Sequence, residues 1–333
     1  MVLIGRRPIK TEAMKRIGNI YHKIFEYANL ELADTIAQKG KMKQPVVVSH
    51  NKKREQNLTE LQKMLMDGTF KTSPYTVFKI YEPKEREVFR LPYFPDRILH
   101  HAIMNVLESV FVSHFTADTY SCIKGRGIHS AASKLKKALK NQFETAYCLK
   151  LDINKFYPSI DHSILKALLR TKFKDPQLLT LLDGIIDSAD GLPIGNYLSQ
   201  YFANFYLSGF DHWIKEEKRV KYYFRYCDDM VFLARTKEEL HVLLADIREY
   251  LQTKLNLKIK SNYQVFPVAS RGIDFLGYKF YHTHTLLRKS IKKNFARAIS
   301  KNANKQSIAA YTGWAKHANT NNLIKKLIPD EKV

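Results

Sequence analysis

Two adjacent acids interrupt an otherwise apolar and aromatic segment, FRYCDDMVFLA, at residues 224 to 234. Asp228 and Asp229 repel each other, and burial of either carboxylate is costly. Neighbouring side chains of a regular strand point to opposite faces, so the two acids share one site only if they lie at or near a turn. The flanking segments YYFR and MVFLA predict a tight hairpin there.

A third acid, Asp152, follows an apolar strand pattern in LKLDINKFYPSID. Carboxylates from neighbouring strands can hold two divalent cations about 4 Å apart, an arrangement suited to in-line displacement at phosphorus. Such hard oxygen ligands favour Mg²⁺, with Mn²⁺ as a substitute. A pair of acids on a hairpin is, however, more often a solvated turn, so these residues alone leave both interpretations open.

The charge balance indicates the class of partner. The chain has 333 residues, with 55 Lys and Arg against 32 Asp and Glu, a net charge of +23. Such an excess favours a polyanionic partner, nucleic acid before membrane, over a merely soluble basic protein. With 45% hydrophobic residues the chain can bury a substantial core.

No segment predicts export or membrane insertion. The start, MVLIGRRPIK, lacks a signal-peptide pattern, and the apolar runs are shorter than the roughly 20 residues that span a bilayer. Three widely spaced cysteines fit neither a disulfide framework nor a zinc site. We therefore expect a soluble cytoplasmic protein without a membrane partner.

Hydrophobic periodicity predicts an α+β fold, with helices packed on one face of a small antiparallel sheet. The predicted elements, in chain order, are a helix over 11–40, a basic loop over 41–56, a helix ending at Gly68, two strands joined near EPKE, helices over 96–115 and 128–140, a strand running toward Pro158, a helix over 161–173, an apolar helix after GLPIG, a hairpin around Asp228, a helix over 237–255 and a short strand in GIDFLGYKF. Roughly the last fifty residues are predicted to be basic and helical. Their face of Lys289, Lys293, Arg297 and Lys301 suits either solvent or nucleic acid.

Four motifs occur in a fixed order: DINKFYPSID at 152–161, GLPIGNYLSQ at 191–200, YCDD at 226–229 and GIDFLGY at 272–278. Together they resemble the palm motifs of reverse transcriptases. REVFRLPYFPDRILHHAI is similar to the fingers of that family and AAYTGWAKHA to the end of its thumb, so the resemblance spans roughly residues 79 to 320. The ordered set favours the polymerase interpretation over the solvated turn.

The resemblance implies a right-hand polymerase architecture of fingers, palm and thumb. We expect a helical and basic extension over 1–70, fingers over 71–145, a palm over 146–281 that interleaves with the fingers, and a thumb over 282–333. The chain leaves no room after residue 320 for an RNase H, endonuclease or maturase domain, so we expect template removal and integration to depend on other proteins.

The subfamily is indicated by one motif. Most reverse transcriptases carry Gln-Gly, three residues, then Ser-Pro in the dNTP pocket, where this chain has Ile194, Gly195, Ser199 and Gln200. This pattern resembles the reverse transcriptases of diversity-generating retroelements, which copy a template-repeat RNA into cDNA with errors at template adenines. Ile194 offers only apolar contact where Gln could hydrogen-bond the incoming nucleotide, which agrees with lower fidelity.

The resemblance also implies roles for the reacting groups. Asp152, Asp228 and Asp229 match the metal-binding acids, with the carbonyl of Ile153 as a further ligand. Lys260 matches the general acid that protonates pyrophosphate. Lys258 competes for that role, and the spacing alone does not separate the two lysines.

Further matches concern the substrates. Tyr157 matches the steric gate that selects dNTPs, although an aromatic packed in the core is the alternative. Arg86 and Lys79 match the fingers cations that grip the triphosphate. The primer-grip hairpin is matched by Phe275, Leu276, Gly277 and Tyr278, with Gly277 allowing a backbone to approach closely.

The implied partners are template RNA, the cDNA or its primer, dNTPs and a small basic accessory variability protein that forms oligomers. Two other interpretations stay open. One is another prokaryotic reverse transcriptase, of the group II-like or phage-defence type. The other is a nucleic-acid-binding protein whose polymerase site is inactive.

Overall fold

The computed structural model describes residues 16–81, 85–301 and 303–328. The chain divides into two compact units, Met1–Ser113 with Tyr157–Tyr206, and His114–Phe156 with Leu207–Val333. Every strand pair within the sheets is antiparallel, so the predicted α+β class with an antiparallel sheet is confirmed. In the described ranges, no helix has the length and apolar character needed to cross a membrane.

The helices are, in chain order, α1 His22–Phe25, α2 Tyr27–Gln38, α3 Pro45–Asn51, α4 Arg54–Met66, α5 Ile98–His114, α6 Ile128–Leu139, α7 His162–Lys172, α8 Pro176–Ile186, α9 Tyr197–His212, α10 Lys237–Leu255, α11 Val268–Arg271, α12 Lys289–Ser300, α13 Lys305–Ala315 and α14 Asn321–Leu327. The strands are β1 Thr76–Ile80, β2 Arg86–Arg90, β3 Tyr147–Asp152, β4 Tyr222–Tyr226, β5 Asp229–Ala234, β6 Gln264–Pro267, β7 Ile273–Phe275, β8 Tyr278–Phe280 and β9 Thr285–Leu287.

Two predictions for the N-terminal region need correction. The helix expected over 11–40 is two helices, because Glu26 between them has an extended backbone, and residues 11–15 lie outside the described residues. The basic loop expected over 41–56 contains α3 and the start of α4. Pro45 occupies the first turn of α3, where its fixed φ favours helix, and Val47 is fully buried. Lysines on either side of this seven-residue helix led to the loop prediction.

The C-terminal region also differs from its prediction. GIDFLGYKF forms two strands, β7 and β8, because Leu276 (φ +53°) and Gly277 (φ +81°) make a turn between them. β9 pairs with β8 inside a region that was expected to be helical throughout. The expected helices follow as α12 to α14.

The second unit contains a four-stranded sheet in the order β4-β5-β3-β6. On one face, Cys148, Val231 and Leu233 join a buried cluster with α6 and with the three-stranded sheet β7-β8-β9. The helix α10 packs along β3, β5 and β6 and matches its predicted range residue for residue. Thr236 caps its first turn by accepting from the Glu239 N–H. This packing fixes the ends of β3 and β5.

Candidate active site

The predicted acids lie at one end of the four-stranded sheet. β3 ends at Asp152, β5 begins at Asp229, and these two residues are direct partners in the antiparallel register. Direct partners project from the same face of a sheet, so both carboxylates point to one side. The register therefore brings together two acids that are far apart in the sequence.

Asp228 lies in the turn between β4 and β5. Tyr226 pairs with Asp229, which leaves Cys227 and Asp228 as a two-residue turn. Cys227 has φ +54°, the left-handed backbone that tight hairpin turns use. The prediction of a hairpin whose turn releases the acids from strand alternation is confirmed.

Two lysines face these carboxylates. Lys150 Nζ lies 3.5 Å from Asp229 Oδ2. Lys260 Nζ lies 3.5 Å from Asp152 Oδ2 and 4.0 Å from Asp228 Oδ2. Because all three acids share one end of the sheet, these ion pairs offset part of their mutual repulsion.

Asp229 is the most perturbed of the three acids. Burial raises the pKa of Asp229 to about 7; Lys150 opposes this rise, and the charges of Asp152 and Asp228 add to it. Its Oδ1 atom is buried and has no hydrogen-bond partner within the described residues. A buried carboxylate oxygen without a donor is costly, and a cation at that oxygen would remove the cost.

The donor set suits a hard divalent cation, but the side chains are not gathered around one. Among the described residues, no three His, Cys, Asp or Glu side chains are grouped so that they could hold a metal ion as they stand. The fit rests on the chemistry of adjacent carboxylates and on the unpartnered Oδ1 of Asp229.

The backbone after Asp152 fixes the position of Lys260. Ile153 and Ile259 form an isolated antiparallel bridge, and the Lys260 N–H donates to the Asp152 carbonyl at 2.9 Å. The Ile153 carbonyl, which was predicted to be a metal ligand, takes no part in that bond. Lys260 Nζ forms ion pairs with Asp152 and Asp228, so the geometry favours Lys260 over Lys258.

In the first unit, the predicted nucleotide-pocket motif packs against β2. The Phe89 N–H donates to the Ile194 carbonyl at 2.8 Å, and the Ile194 side chain is half-buried. Gly195 has φ +118°, and a Cβ there would lie 2.6 Å from the Phe89 carbonyl oxygen. Both the backbone conformation and the close approach of β2 therefore require glycine at position 195.

The same motif is tied to Tyr157. The half-buried Tyr157 begins a single 3₁₀ turn, and its carbonyl accepts from the Leu192 N–H at 2.8 Å. Gly191 allows this approach, because a Cβ there would lie 2.6 Å from the Tyr157 carbonyl oxygen. Gln200 is exposed in the first turn of α9. The segment GLPIG thus connects the backbone of the predicted steric gate with β2.

The two predicted fingers cations lie on the β1–β2 hairpin. Lys79 pairs with Glu87, and Arg86 pairs with Ile80, so the register places the two basic side chains on opposite faces of the hairpin. Lys79 Nζ also lies 2.7 Å from Glu85 Oε1. Arg86 is exposed and is the stronger of the two candidates for contact with a triphosphate.

The predicted primer grip is the turn between β7 and β8. Phe275 and Tyr278 are fully buried, which leaves Leu276 as the half-exposed side chain of the motif. A Cβ at Gly277 would lie 2.7 Å from Ile291 Cδ1 and closer still to an indole ring of α13. Within the protein, the close approach at Gly277 is therefore made by side chains of α12 and α13.

Sequence reasoning missed Lys150. It lies two residues before Asp152 in β3, so it shares the face of Asp152, and strand alternation was a sufficient signal. Its Nζ also donates to the carbonyl of Asp274 beside the β7–β8 turn. Lys150 thus connects a predicted catalytic acid with the predicted primer grip.

The turn also has thiol contacts that no local pattern indicated. Ser121 Oγ lies 2.7 Å from Cys227 Sγ and 3.1 Å from Cys122 Sγ. A hydrogen bond between the two thiols lowers the pKa of Cys122 to about 6. All three cysteines are free, as expected from their spacing.

Comparison with known proteins gives the family. Residues 82–280, more than half of the chain, match the family described as Reverse transcriptase (RNA-dependent DNA polymerase). Protein YkfC of Escherichia coli is 24% identical over 288 residues, covering 72% of this chain and 74% of that protein.

Two further relatives are matched over a smaller share of their length. Nuclear intron maturase 4, mitochondrial, of Arabidopsis thaliana is 32% identical over 161 residues, which is 44% of this chain and 20% of that protein. Group II intron-encoded protein LtrA of Lactococcus lactis is 25% identical over 178 residues, covering 49% and 29%. This chain therefore spans less than a third of either protein. A solved telomerase from Candida tropicalis in complex with a telomeric RNA fragment overlaps 81% of this chain and 58% of that chain, at 10% identity and a TM-score of 0.49.

The contact between Gly195 and β2 yields a stability prediction. Gly195→Ala places a methyl group against the Phe89 carbonyl in a backbone region that L-residues avoid, so we expect a loss of roughly 1–3 kcal/mol in the free energy of unfolding. Gly184→Ala is the matched control, because Gly184 lies within α8 with open space around it, and it should gain roughly 0.5–1 kcal/mol. Urea unfolding measures both changes. Equal free energies of unfolding for the two variants would contradict the requirement for glycine at position 195.

Proposed function

The chain belongs to the reverse transcriptase family, and on that premise we propose that it is an error-prone RNA-directed DNA polymerase of a diversity-generating retroelement, which copies a template-repeat RNA into adenine-mutagenised cDNA. Family membership gives the reaction class and the right-hand polymerase fold. The observation that carries the proposed site is the register that pairs Asp152 with Asp229 beside the turn residue Asp228.

In the proposed site, Asp152, Asp228, Asp229 and the Ile153 carbonyl would hold two Mg²⁺ ions. When bound, these ions would lower the pKa of the attacking primer hydroxyl and neutralise charge on the triphosphate and the leaving pyrophosphate. The register of β3 and β5 presents the ligands from one face, and the turn supplies the third carboxylate.

Protein cations complete the proposed chemistry. Lys260 donates a proton to the leaving pyrophosphate, a role supported by its ion pairs with Asp152 and Asp228. Arg86 grips the triphosphate, with Lys79 as a weaker contributor because Glu85 already pairs with it. Tyr157 packs beneath the sugar of the incoming nucleotide and sterically disfavours a 2′-hydroxyl.

The retroelement assignment rests on the nucleotide pocket. Ile194 removes a side-chain hydrogen bond that glutamine could offer to the incoming nucleotide, so a mispaired geometry is penalised less. Gln200 stands where most reverse transcriptases have proline. The pairing of the Ile194 carbonyl with Phe89 supports a pocket in which position 194 is held by its backbone.

Nucleic acid and a protein partner complete the proposal. The net charge of +23 supports binding of the template RNA and of the primer or cDNA, with affinity that falls as salt rises. By its resemblance to retroelement enzymes, we infer a small basic oligomeric accessory variability protein as the partner.

A second candidate is a group II-like reverse transcriptase that does not concentrate errors at adenine. The similarity to an intron maturase and to a group II intron-encoded protein favours it. The two candidates share the polymerase chemistry and differ in their error spectrum.

The polymerase site predicts the effect of removing one acid. Asp228→Asn should reduce single-turnover extension of a DNA primer on an RNA template by at least the order of 10²-fold, the scale of losing one electrostatic contact in a transition state. Asp246→Asn is the matched control, because Asp246 pairs with Lys218 on the surface of the same unit and should retain full extension. Full extension by the folded Asp228→Asn protein would refute the site.

The pocket predicts a change in fidelity. Ile194→Gln restores a hydrogen bond worth about 1 kcal/mol, so misincorporation opposite template adenine should fall roughly fivefold. Sequencing the cDNA made on a defined RNA measures the spectrum, and Ile194→Val should leave it unchanged. If Ile194→Gln also leaves it unchanged, position 194 does not set fidelity and the retroelement assignment loses its main support.

A further inference from the structure

A buried ion pair lies behind the turn that carries Asp228. Arg225 in β4 and Asp211 in α9 are both fully buried. The Arg225 Nε donates to Asp211 Oδ1 at 2.8 Å, and its Nη2 donates to Asp211 Oδ2. Asp211 also accepts from the Tyr223 hydroxyl at 2.6 Å and from the Thr119 hydroxyl at 2.8 Å. Four donors therefore satisfy this carboxylate.

The guanidinium of this ion pair also bonds to the turn. The Arg225 Nη1 donates to the carbonyl of Cys227 at 3.1 Å. That carbonyl belongs to the peptide that leads into Asp228, in a turn whose first residue has φ +54°. A left-handed backbone at a residue other than glycine costs roughly 1–2 kcal/mol and persists only where its surroundings hold it. The guanidinium supplies such a restraint.

Arg225 does not face the reacting groups. It precedes Tyr226, the partner of Asp229, so its side chain projects from the sheet face opposite to the carboxylates. Its backbone is fixed separately: the Arg225 N–H donates to the Asp118 carbonyl, and the Arg225 carbonyl accepts from the Tyr120 N–H. The bond to the Cys227 carbonyl is therefore a route by which the side chain can act on the turn.

The geometry requires a guanidinium. Its planar fork binds both oxygens of Asp211 while a further N–H reaches the turn, whereas a lysine ammonium is a point charge that cannot span these acceptors in one rigid arrangement. A buried ion pair contributes little net stability compared with apolar side chains of similar size. Stability alone therefore gives no reason for charges here.

We propose that Arg225, oriented by Asp211, is a positioning residue that fixes the Cys227–Asp228 peptide and thereby places the Asp228 carboxylate for catalysis. The inference rests on the proposed polymerase function. A displacement of about 1 Å at a catalytic group can reduce the rate on the order of 10²-fold without any change in substrate contacts.

Arg225→Lys tests this directly, since it keeps the charge and loses the fork. We expect the single-turnover rate constant to fall roughly 10²-fold, while the Kd for an RNA template with a DNA primer changes less than about twofold, because no part of the network is expected to contact nucleic acid. Tyr223→Phe is the matched control: it removes one hydrogen bond to Asp211, keeps the bond to Cys227 and should leave the rate constant unchanged. Thermal unfolding of each variant separates misplacement from loss of fold.

A wild-type rate constant in folded Arg225→Lys would overturn the proposal, and so would an equal loss in Tyr223→Phe. If Arg225→Lys does not fold, the Arg225→Met, Asp211→Leu double variant decides, because apolar replacement of a buried ion pair is often tolerated. A folded double variant with a reduced rate supports positioning, and one with the wild-type rate refutes it. Asp228→Asn is run alongside: if that protein remains active, the proposed function itself fails.

Discussion

The register between β3 and β5 sets Asp152 directly opposite Asp229, and the rest of this end of the sheet is arranged around the resulting charge. Like charges in a direct cross-strand pair destabilise a sheet. Here Asp228 in the adjoining turn adds a third negative charge. Lys150 and Lys260, each 3.5 Å from a carboxylate oxygen, offset the repulsion from two sides. A fold selected for stability alone would not gather three acids at one place.

The two lysines compensate the charge of the three acids only in part. Asp229 keeps a buried oxygen with no partner among the described residues, and burial raises its pKa to about 7. Both features are unfavourable for an ionised carboxylate, and a divalent cation bound at Asp229 would stabilise it. On the opposite face, by contrast, both carboxylate oxygens of Asp211 accept hydrogen bonds. The polar groups that hold the turn are therefore satisfied, whereas a carboxylate oxygen on the reacting face is not.

Local patterns were enough to predict much of this arrangement. Strand alternation broken by two acids predicted the hairpin, and leucines at helical spacing predicted α10. The order of motifs predicted the family to which the chain belongs. Lys150 could have been found by extending the alternation argument by two residues.

Other features depend on contacts that local pattern cannot reveal. Arg225 meets Asp211 and Thr119 only after the chain has folded, and an arginine within an aromatic strand does not indicate its partner. The short helix α3 lies between lysine-rich segments that indicated a loop, and β9 pairs with β8 in a region whose composition indicated helix. The opposite facing of Lys79 and Arg86 depends on the hairpin register, which the sequence leaves open.

The most direct test of the central claim is a count of bound divalent ions. Mn²⁺ is titrated into the protein with its RNA template, a DNA primer ending in a dideoxynucleotide and the next dNTP, and free Mn²⁺ is followed by electron paramagnetic resonance. The ions held by template, primer and dNTP without protein are subtracted. Our account predicts two additional tightly held ions in the wild-type complex and the loss of tight binding in Asp152→Asn, whose change lies directly opposite Asp229. Equal Mn²⁺ binding by the wild-type and Asp152→Asn complexes would contradict the assignment of these acids as the catalytic metal site.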